Sequence, residues 1–246
     1  MSGHSKWKTI KHKKGIADAK RGNLFTKVAK LITIAVREGG ADPESNFKLR
    51  LAIDKAKQGN MPKENIQRAI DRGAGKSDGS DFKEVVYEGF GPESTAFMLE
   101  VTTDNTNRTF SDLKAILAKG GGNLGGSGAV AYLFDKVGYL LIDVKKSAHE
   151  EKMLELMEID DILDVESSDE GIEVYTHSDK LYEVKDQIVR QELAVNEAEL
   201  IYKPKSLIKI ADRSKAEKII NFTQSIEDHD DVQKVHANFD IDEELI

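Results

Sequence analysis

Residues 139–202 read YLLIDVKKSAHEEKMLELMEIDDILDVESSDEGIEVYTHSDKLYEVKDQIVRQELAVNEAELIY, and this stretch decides the fold expected for the chain. Alternating apolar residues predict four strands, and two amphipathic segments between them predict helices. The order strand–helix–strand–strand–helix–strand is the plan of a ferredoxin-like domain. The predicted strands cover 139–144, 162–166, 172–176 and 194–202, and the predicted helices cover 148–157 and 178–191.

Further strands are predicted on both sides of this unit. The upstream pattern predicts strands at 84–88, 95–102 and 129–134 and a helix at 106–119, and the downstream pattern predicts strands at 207–210 and 232–237 around a helix at 214–226. Because a lone strand–helix–strand tail makes no stable sheet, we expect it to complete the upstream sheet. Residues 137–203 are then an insertion in a discontinuous α/β domain of residues 79–136 plus 204–246.

Residues 1–78 are predicted to form a helical domain. Apolar residues spaced three and four apart predict helices from Asn23 to Gly39, over 46–58 and over 62–73, followed by a glycine-rich linker. The fold class expected is therefore α+β: an N-terminal helical bundle followed by two ferredoxin-like α/β domains, one inserted in the other.

Charge divides the chain at the same place. Residues 1–76 hold 18 Lys and Arg against 7 Asp and Glu, a net of +11, whereas the remainder holds 18 against 37, a net of −19. A basic segment joined to an acidic body is typical of a protein that binds a polyanion. The bundle alone leaves basic side chains for its outer faces: Lys48, Arg50, Lys55, Lys57, Lys63, Arg68 and Arg72.

The basic run at the start of the chain is the predicted nucleic-acid site. Lysines near phosphates release counterions, which makes binding dependent on salt and largely blind to sequence. Trp7, the only tryptophan, and His4 are candidates to stack on bases. A solvated basic tail with Trp7 against the bundle is the structural alternative. The candidate contacts are His4, Lys6, Trp7, Lys8, Lys11, Lys13, Lys14, Lys20, Arg21 and Lys27.

Three further motifs have a structural explanation beside a functional one. GAGKS at 73–77 resembles the end of a P-loop, but Ile70 stands where that pattern has glycine, so a linker is favoured. GGGNLGGSG at 120–128 is either an anion-binding nest of backbone amides or an ordinary connection, and both remain open. DNTNR at 104–108 precedes a helix, which favours helix capping over a phosphate site at Arg108.

Composition and spacing argue against several other classes. With no cysteine, disulfides and thiol catalysis are excluded, and the longest apolar stretch is far shorter than the ~20 residues of a membrane span. No signal peptide is evident, and we expect a cytoplasmic protein. The six histidines show no metal-ligand spacing, and no carboxylate pair stands out as an acid–base pair. We therefore expect no catalytic residues, no metal and no cofactor.

The chain contains, in order, GHSKW at 3–7, DAKRGNLFTK at 18–27, NMPKENIQRAI at 60–70, YEGFGP at 87–92, DNTNRT at 104–109, GGNLG at 121–125, SGAVAYLF at 127–134 and DDVQKVHAN at 230–238. This set resembles the YebC/PmpR family of bacterial transcriptional regulators, which has a mitochondrial relative described as a translational activator. The resemblance implies three domains, one interrupting another, no enzymatic activity and no cofactor. It is weakest over residues 145–201, where this chain is more acidic.

Two functions from different classes remain open at this point. A DNA-binding transcriptional regulator agrees with the resemblance, although only the predicted helices 46–58 and 62–72, with a short turn between them, are similar to a helix-turn-helix. A ribosome-associated translation factor agrees with a basic tail suited to rRNA phosphates and an acidic α/β body free to meet a protein partner. An enzyme with a metal among the carboxylates of the α/β domains is a third, unsupported alternative.

Overall fold

The structure of the protein is a computed structural model that describes residues 21–76 and 82–245. Three helices begin it: α1 (Arg21–Gly39), α2 (Phe47–Gln58) and α3 (Lys63–Gly73). Their apolar stripes meet in one core, which includes Ile32, Leu49 and Ile66. The predicted helical bundle is therefore confirmed, with each helix end within about two residues of the predicted position.

A four-stranded sheet follows the bundle in the chain. Strand β1 (Lys83–Phe90) pairs antiparallel with β2 (Ala96–Thr103), and helix α4 (Thr106–Lys119) leads to the short strand β3 (Asn123–Leu124), which also pairs with β1. The odd-numbered residues of β1 face the helix, because a Cβ on Gly89 would lie 2.9 Å from Leu117 of α4.

The insertion has the ferredoxin-like topology predicted from its sequence. Its elements are β4 (Phe134–Asp143), α5 (His149–Met157), β5 (Ile162–Ser168), β6 (Gly171–His177), α6 (Leu181–Arg190) and β7 (Ala194–Pro204). The strand order is β5-β6-β4-β7, and each neighbouring pair is antiparallel. Leu140 and Val174 of the sheet pack with Leu156 of α5 and Val184 of α6, so both helices cover the same face.

The tail adds β8 (Ile208–Ile210), α7 (Arg213–Glu227), β9 (Val232–Ala237) and β10 (Phe239–Ile241). Strand β9 lies beside β2 and extends the first sheet to the order β3-β1-β2-β9, which confirms that the tail completes it. Strand β8, the other tail strand that the sequence predicted, does not join the first sheet. Strand β8 pairs with β10, which the sequence pattern did not reveal, and these two form a separate ribbon.

The predicted strand over 129–134 is wrong. Residues Ala131–Leu133 form a short 3-10 turn, and the strand begins only at Phe134. The reason is tertiary: the Val130 amide is bound by the Glu88 carboxylate at 2.8 Å. Val130 and Phe134 are both buried, so the apolar pattern marks the two ends of a connection and not a continuous strand.

The chain divides into two compact units. One contains Ala131–Lys209 and His236–Asp240, and the other contains the described residues up to Val130 together with Ile210–Val235 and those from Ile241 onward. The finer boundaries expected from the sequence, 1–78, 79–136 plus 204–246, and 137–203, stay a prediction.

Candidate nucleic-acid interface

Most of the predicted nucleic-acid contacts precede the described part of the chain. Arg21 is the first residue of α1, and Lys27 lies one and a half turns further along the same helix. Of these contacts, the structure therefore gives the side-chain environment of Lys27 only. Those that lie outside the described residues are His4, Lys6, Trp7, Lys8, Lys11, Lys13, Lys14 and Lys20.

The outer faces of α2 and α3 carry the basic side chains that the sequence assigned to them. All seven are exposed, and the described helical domain, residues 21–76, holds twelve Lys and Arg against six Asp and Glu. The Lys48 amine binds Glu38 at 2.9 Å and Glu84 at 3.0 Å, and the Lys57 amine lies 3.7 Å from Asp54. Neighbouring acidic groups raise the pKa of Lys48 although its burial acts in the opposite direction.

The turn between α2 and α3 is well defined by local interactions. Asn46 caps α2 by accepting a hydrogen bond from the Leu49 amide at 3.0 Å, and its own amide donates to the Ala35 carbonyl at 2.6 Å. Asn60 lies in the turn with a φ of 56°, a conformation that asparagine tolerates. A Cβ on Gly73 would meet the Thr33 carbonyl at 2.6 Å, so glycine there allows α3 to approach α1 closely. The pair α2–α3 is thus fixed on α1.

Lys27 and Lys30 of α1 contact the end of α7 within the same compact unit. The Lys27 amine donates to the Glu227 carbonyl at 2.6 Å, and the Lys30 amine donates to the Asp230 carbonyl at 3.0 Å. The last carbonyls of a helix lack amide partners inside it, and cations near that end are stabilising. The structure therefore places Lys27, a predicted nucleic-acid contact, on a helix terminus of its own chain.

Asp231 is the centre of a buried ionic cluster beside these lysines. Its carboxylate accepts hydrogen bonds from Lys30 at 2.5 Å, from the Thr109 hydroxyl at 2.6 Å and from Arg108 at 3.1 Å. Burial of the carboxylate raises its pKa, but the hydrogen bonds from Lys30, Thr109 and Arg108 outweigh that effect and hold the pKa well below 3.8. No sequence pattern predicted this cluster, because Lys30 and Asp231 are 201 positions apart.

The DNTNR motif at 104–108 caps α4, as its position before a helix predicted. Asn105 accepts a hydrogen bond from the Arg108 amide at 3.0 Å. The Arg108 guanidinium donates to Asp231 at 3.1 Å and to Asp104 at 2.8 Å, and these two hydrogen bonds raise the pKa of Arg108. Arg108 is therefore part of the ionic cluster around Asp231.

The glycine-rich run at 120–128 combines the two alternatives drawn from the sequence. The amides of Gly128 and Val130 donate to the two carboxylate oxygens of Glu88 at 2.6 and 2.8 Å, so the end of the loop does bind an anion, and that anion belongs to the chain itself. The Gly125 amide also donates to the Glu88 carbonyl at 2.8 Å. Glycine at 120 and 122 makes room for Phe222 of α7, which a Cβ at either position would strike.

Metal sites, histidine contacts and membrane spans were also considered among the described residues. Within them, no group of three His, Asp or Glu is placed to hold a metal ion. His229 lies 3.5 Å from Asp112. His149 contacts the Ser167 hydroxyl at 2.7 Å through one ring nitrogen and the Val144 carbonyl at 3.0 Å through the other. None of the helices in the described part of the chain has the length and apolar character that a membrane span requires.

Comparison with known proteins matches both parts of the chain to one family. A family model described as the TACO1/YebC protein N-terminal domain matches residues 5–76, and one described as the TACO1/YebC second and third domain matches residues 82–239. Proteins named "Probable transcriptional regulatory protein" from Halothermothrix orenii and Aquifex aeolicus are each 45% identical to this chain. Each alignment covers 100% of this chain and 98% of the relative. A relative of the same name from Geotalea uraniireducens is 48% identical over 99% of this chain and 98% of its own length.

A solved structure has the same fold. It is the crystal structure of a conserved hypothetical protein from Aquifex aeolicus, with a TM-score of 0.82 and 43% sequence identity. The alignment covers 92% of this chain and 93% of that one.

Proposed function

Because this chain belongs to the TACO1/YebC family, we propose that it is a non-enzymatic, DNA-binding regulator of transcription. The names of its relatives support regulation of transcription and give no reason to favour the translational alternative. For a protein that acts on bacterial DNA, the proposed location is the cytoplasm.

The observation that carries DNA binding is the charge of the helical domain. Seven basic side chains are exposed on α2 and α3, and the segment that precedes α1 in the sequence holds six more lysines. The described α/β residues 82–245 carry 18 basic and 35 acidic side chains, which would repel a polyanion. A duplex is thus expected to contact the helical domain through its phosphates, with the tail residues Lys11, Lys13 and Lys14 among the contacts.

The α2–turn–α3 unit is the proposed means of holding the duplex in register. The Arg50 guanidinium is oriented by hydrogen bonds to the carbonyls of Pro43 and Glu44, at 3.0 and 2.8 Å. Lys57 and Arg72 are exposed on the two helices. Phosphate contacts of this kind position a protein on DNA but do not read its sequence.

The test is binding to a labelled DNA duplex, measured by fluorescence anisotropy over a range of salt concentrations. Replacing Lys11, Lys13 and Lys14 by Glu should weaken binding to every sequence alike and reduce the log–log salt slope by about 2.7, since each phosphate contact contributes about 0.9. The matched control replaces Lys114, Lys119 and Lys218 of α4 and α7 by Glu, which changes the net charge equally.

Two outcomes would contradict the proposal. Equal loss of affinity in the control would show that only net charge matters. Binding to ribosomal RNA about tenfold tighter than to any duplex, at equal salt, would replace transcription by the translational alternative.

A further inference from the structure

Helix α5 of the inserted domain presents two large apolar side chains to solvent. Leu154 is 72% exposed and Met157 is 52% exposed, although His149 and Leu156 of the same helix are buried. Residues three positions apart are neighbours on a helix surface, so Leu154 and Met157 form one apolar strip on the outside of α5. Covering this strip with a partner would remove apolar surface from water, which favours association.

Carboxylates surround the apolar strip. Residues 149–161 hold six Asp and Glu but only one lysine, whose amine binds Glu155 at 2.5 Å. Glu150 and Glu158 lie four positions before and four positions after Leu154, which makes them its neighbours on the helix surface. The apolar strip therefore has a negatively charged rim.

The negative charges at the C-terminal end of α5 have no counter-ions. Glu158 and Asp160 are exposed, and no ion pair or hydrogen bond joins either carboxylate to another residue of the described chain. The last turn of α5 contains no basic residue. Because a helix C-terminus is itself negative, carboxylates there lower helix stability and cations there raise it. Helix stability thus does not explain these two acids, whereas a cationic partner would be attracted by both.

Charge and apolar surface together select the class of partner. The rim repels DNA, RNA and anionic membranes. A second copy of the chain is a poor match, because none of the exposed large apolar side chains of the described residues lies in the basic helices α1 to α3. An amphipathic helix of another protein matches both features, since its apolar strip covers Leu154 and Met157 while its lysines or arginines meet the rim.

We propose that the outer surface of α5 is a docking site for a cationic amphipathic helix of a partner protein. The apolar strip supplies the buried contact, and Glu150, Glu158 and Asp160 select positive charge around it. This role goes beyond the DNA binding proposed for the helical domain and does not depend on it. A chain that holds a nucleic acid through one domain and a protein through another would bring the two together.

The probe is a fluorescently labelled synthetic peptide of leucine and lysine, about 14 residues or roughly four helical turns long, with its leucines at helical spacing. Its binding to the full chain is measured by fluorescence anisotropy without nucleic acid. The control peptide has the same composition in scrambled order. The amphipathic peptide should bind at least about tenfold more tightly, because only it presents an apolar strip. Equal binding of the two peptides would overturn the proposal, since net charge alone would then explain the association.

The apolar strip is tested with the double variant Leu154→Gln, Met157→Gln, which should weaken binding of the amphipathic peptide about tenfold. The matched control is Val189→Gln with Leu207→Gln, because these two exposed apolar side chains lie elsewhere in the same compact unit. The control should bind the peptide within about twofold of the wild type. Equal affinities in the two double variants would contradict the proposal.

The rim is tested with Glu158→Lys, Asp160→Lys, which should weaken peptide binding about tenfold. Lysines suit a helix C-terminus, so this variant should be at least as stable as the wild type, and urea unfolding verifies that it folds. The control Asp143→Lys, Asp186→Lys reverses two exposed carboxylates outside α5 and changes the net charge equally. A loss of the same size in the control would show that the peptide responds to net charge and not to this surface.

The position of the peptide is measured by nuclear magnetic resonance of the full chain with carbon-13 in the methionine methyl groups. The chain has five methionines, and the variants Met157→Leu and Met98→Leu identify two of the signals. Saturating peptide should shift the Met157 signal and leave that of Met98, which is buried in the other compact unit, unchanged. A Met157 signal that does not move would overturn the docking site. Failure of the chain to bind DNA would refute the proposed function and leave this result standing.

Discussion

At the scale of single residues, Asp231 has the largest expected effect on stability. Replacing it by Asn leaves the Lys30 amine, which is 9% exposed, without its counter-ion, so we expect the free energy of unfolding to fall by about 3 kcal/mol. The check is urea unfolding followed by circular dichroism. The control is Asp230→Asn, because Asp230 is the exposed neighbour and its replacement should change stability by less than about 0.5 kcal/mol. Equal losses in both variants would show that the cluster is not the cause.

The same residue predicts a dependence on pH. The pKa of Asp231 is lower in the folded chain than its ordinary value of 3.8, so its contribution to stability is complete above that value and is lost as the pH falls below it. Between about pH 5 and pH 3, the unfolding free energy of the wild type should therefore decrease more steeply than that of Asp231→Asn. Parallel curves for the two proteins would contradict the assigned pKa direction.

At the scale of elements, the connection between α4 and β4 depends on how closely α7 approaches it. A Cβ on Gly122 would strike the Phe90 carbonyl and lie 2.7 Å from Phe222, so Gly122→Ala should cost about 2 kcal/mol or more through overpacking. Gly126 lies in the same loop with nothing within 4 Å of an added Cβ, and Gly126→Ala should be neutral within about 0.5 kcal/mol. Thermal unfolding of the two variants is the measurement, and similar melting temperatures would refute the packing argument.

At the scale of the whole molecule, the two compact units should respond separately to core damage. Leu140→Ala removes a fully buried side chain from the inserted sheet and should cost about 3 kcal/mol there, whereas Asp231→Asn acts in the other unit. Hydrogen exchange followed by mass spectrometry should show faster exchange only in the unit that carries each substitution. Faster exchange throughout the chain in either variant would mean that the units unfold together.

Local patterns were sufficient for most elements and for the fold class. Period-two and period-3.6 patterns located all seven helices and most strands of the described chain, because each buries one face against its own neighbours. They failed at 129–134, where an apolar run belongs to a connection bound by Glu88, and at β3 and β10, whose two and three residues acquire partners only in the folded chain. The candidate site was predicted from the surplus of positive charge in residues 1–76, which appears only when charges are counted along the chain, because the net charge of the whole is −8.

What the sequence by itself determined is therefore the α+β plan and the division of charge between the helical domain and the rest, since both depend on residues close together in the chain. Only the tertiary structure decided which charged side chains bind partners within the chain. Lys27 and Lys30 are directed to the end of α7, Arg108 is held by Asp104 and Asp231, and Glu88 fills the glycine loop. These partners are distant in sequence, and no local pattern encodes a carboxylate that arrives from a strand or turn far along the chain.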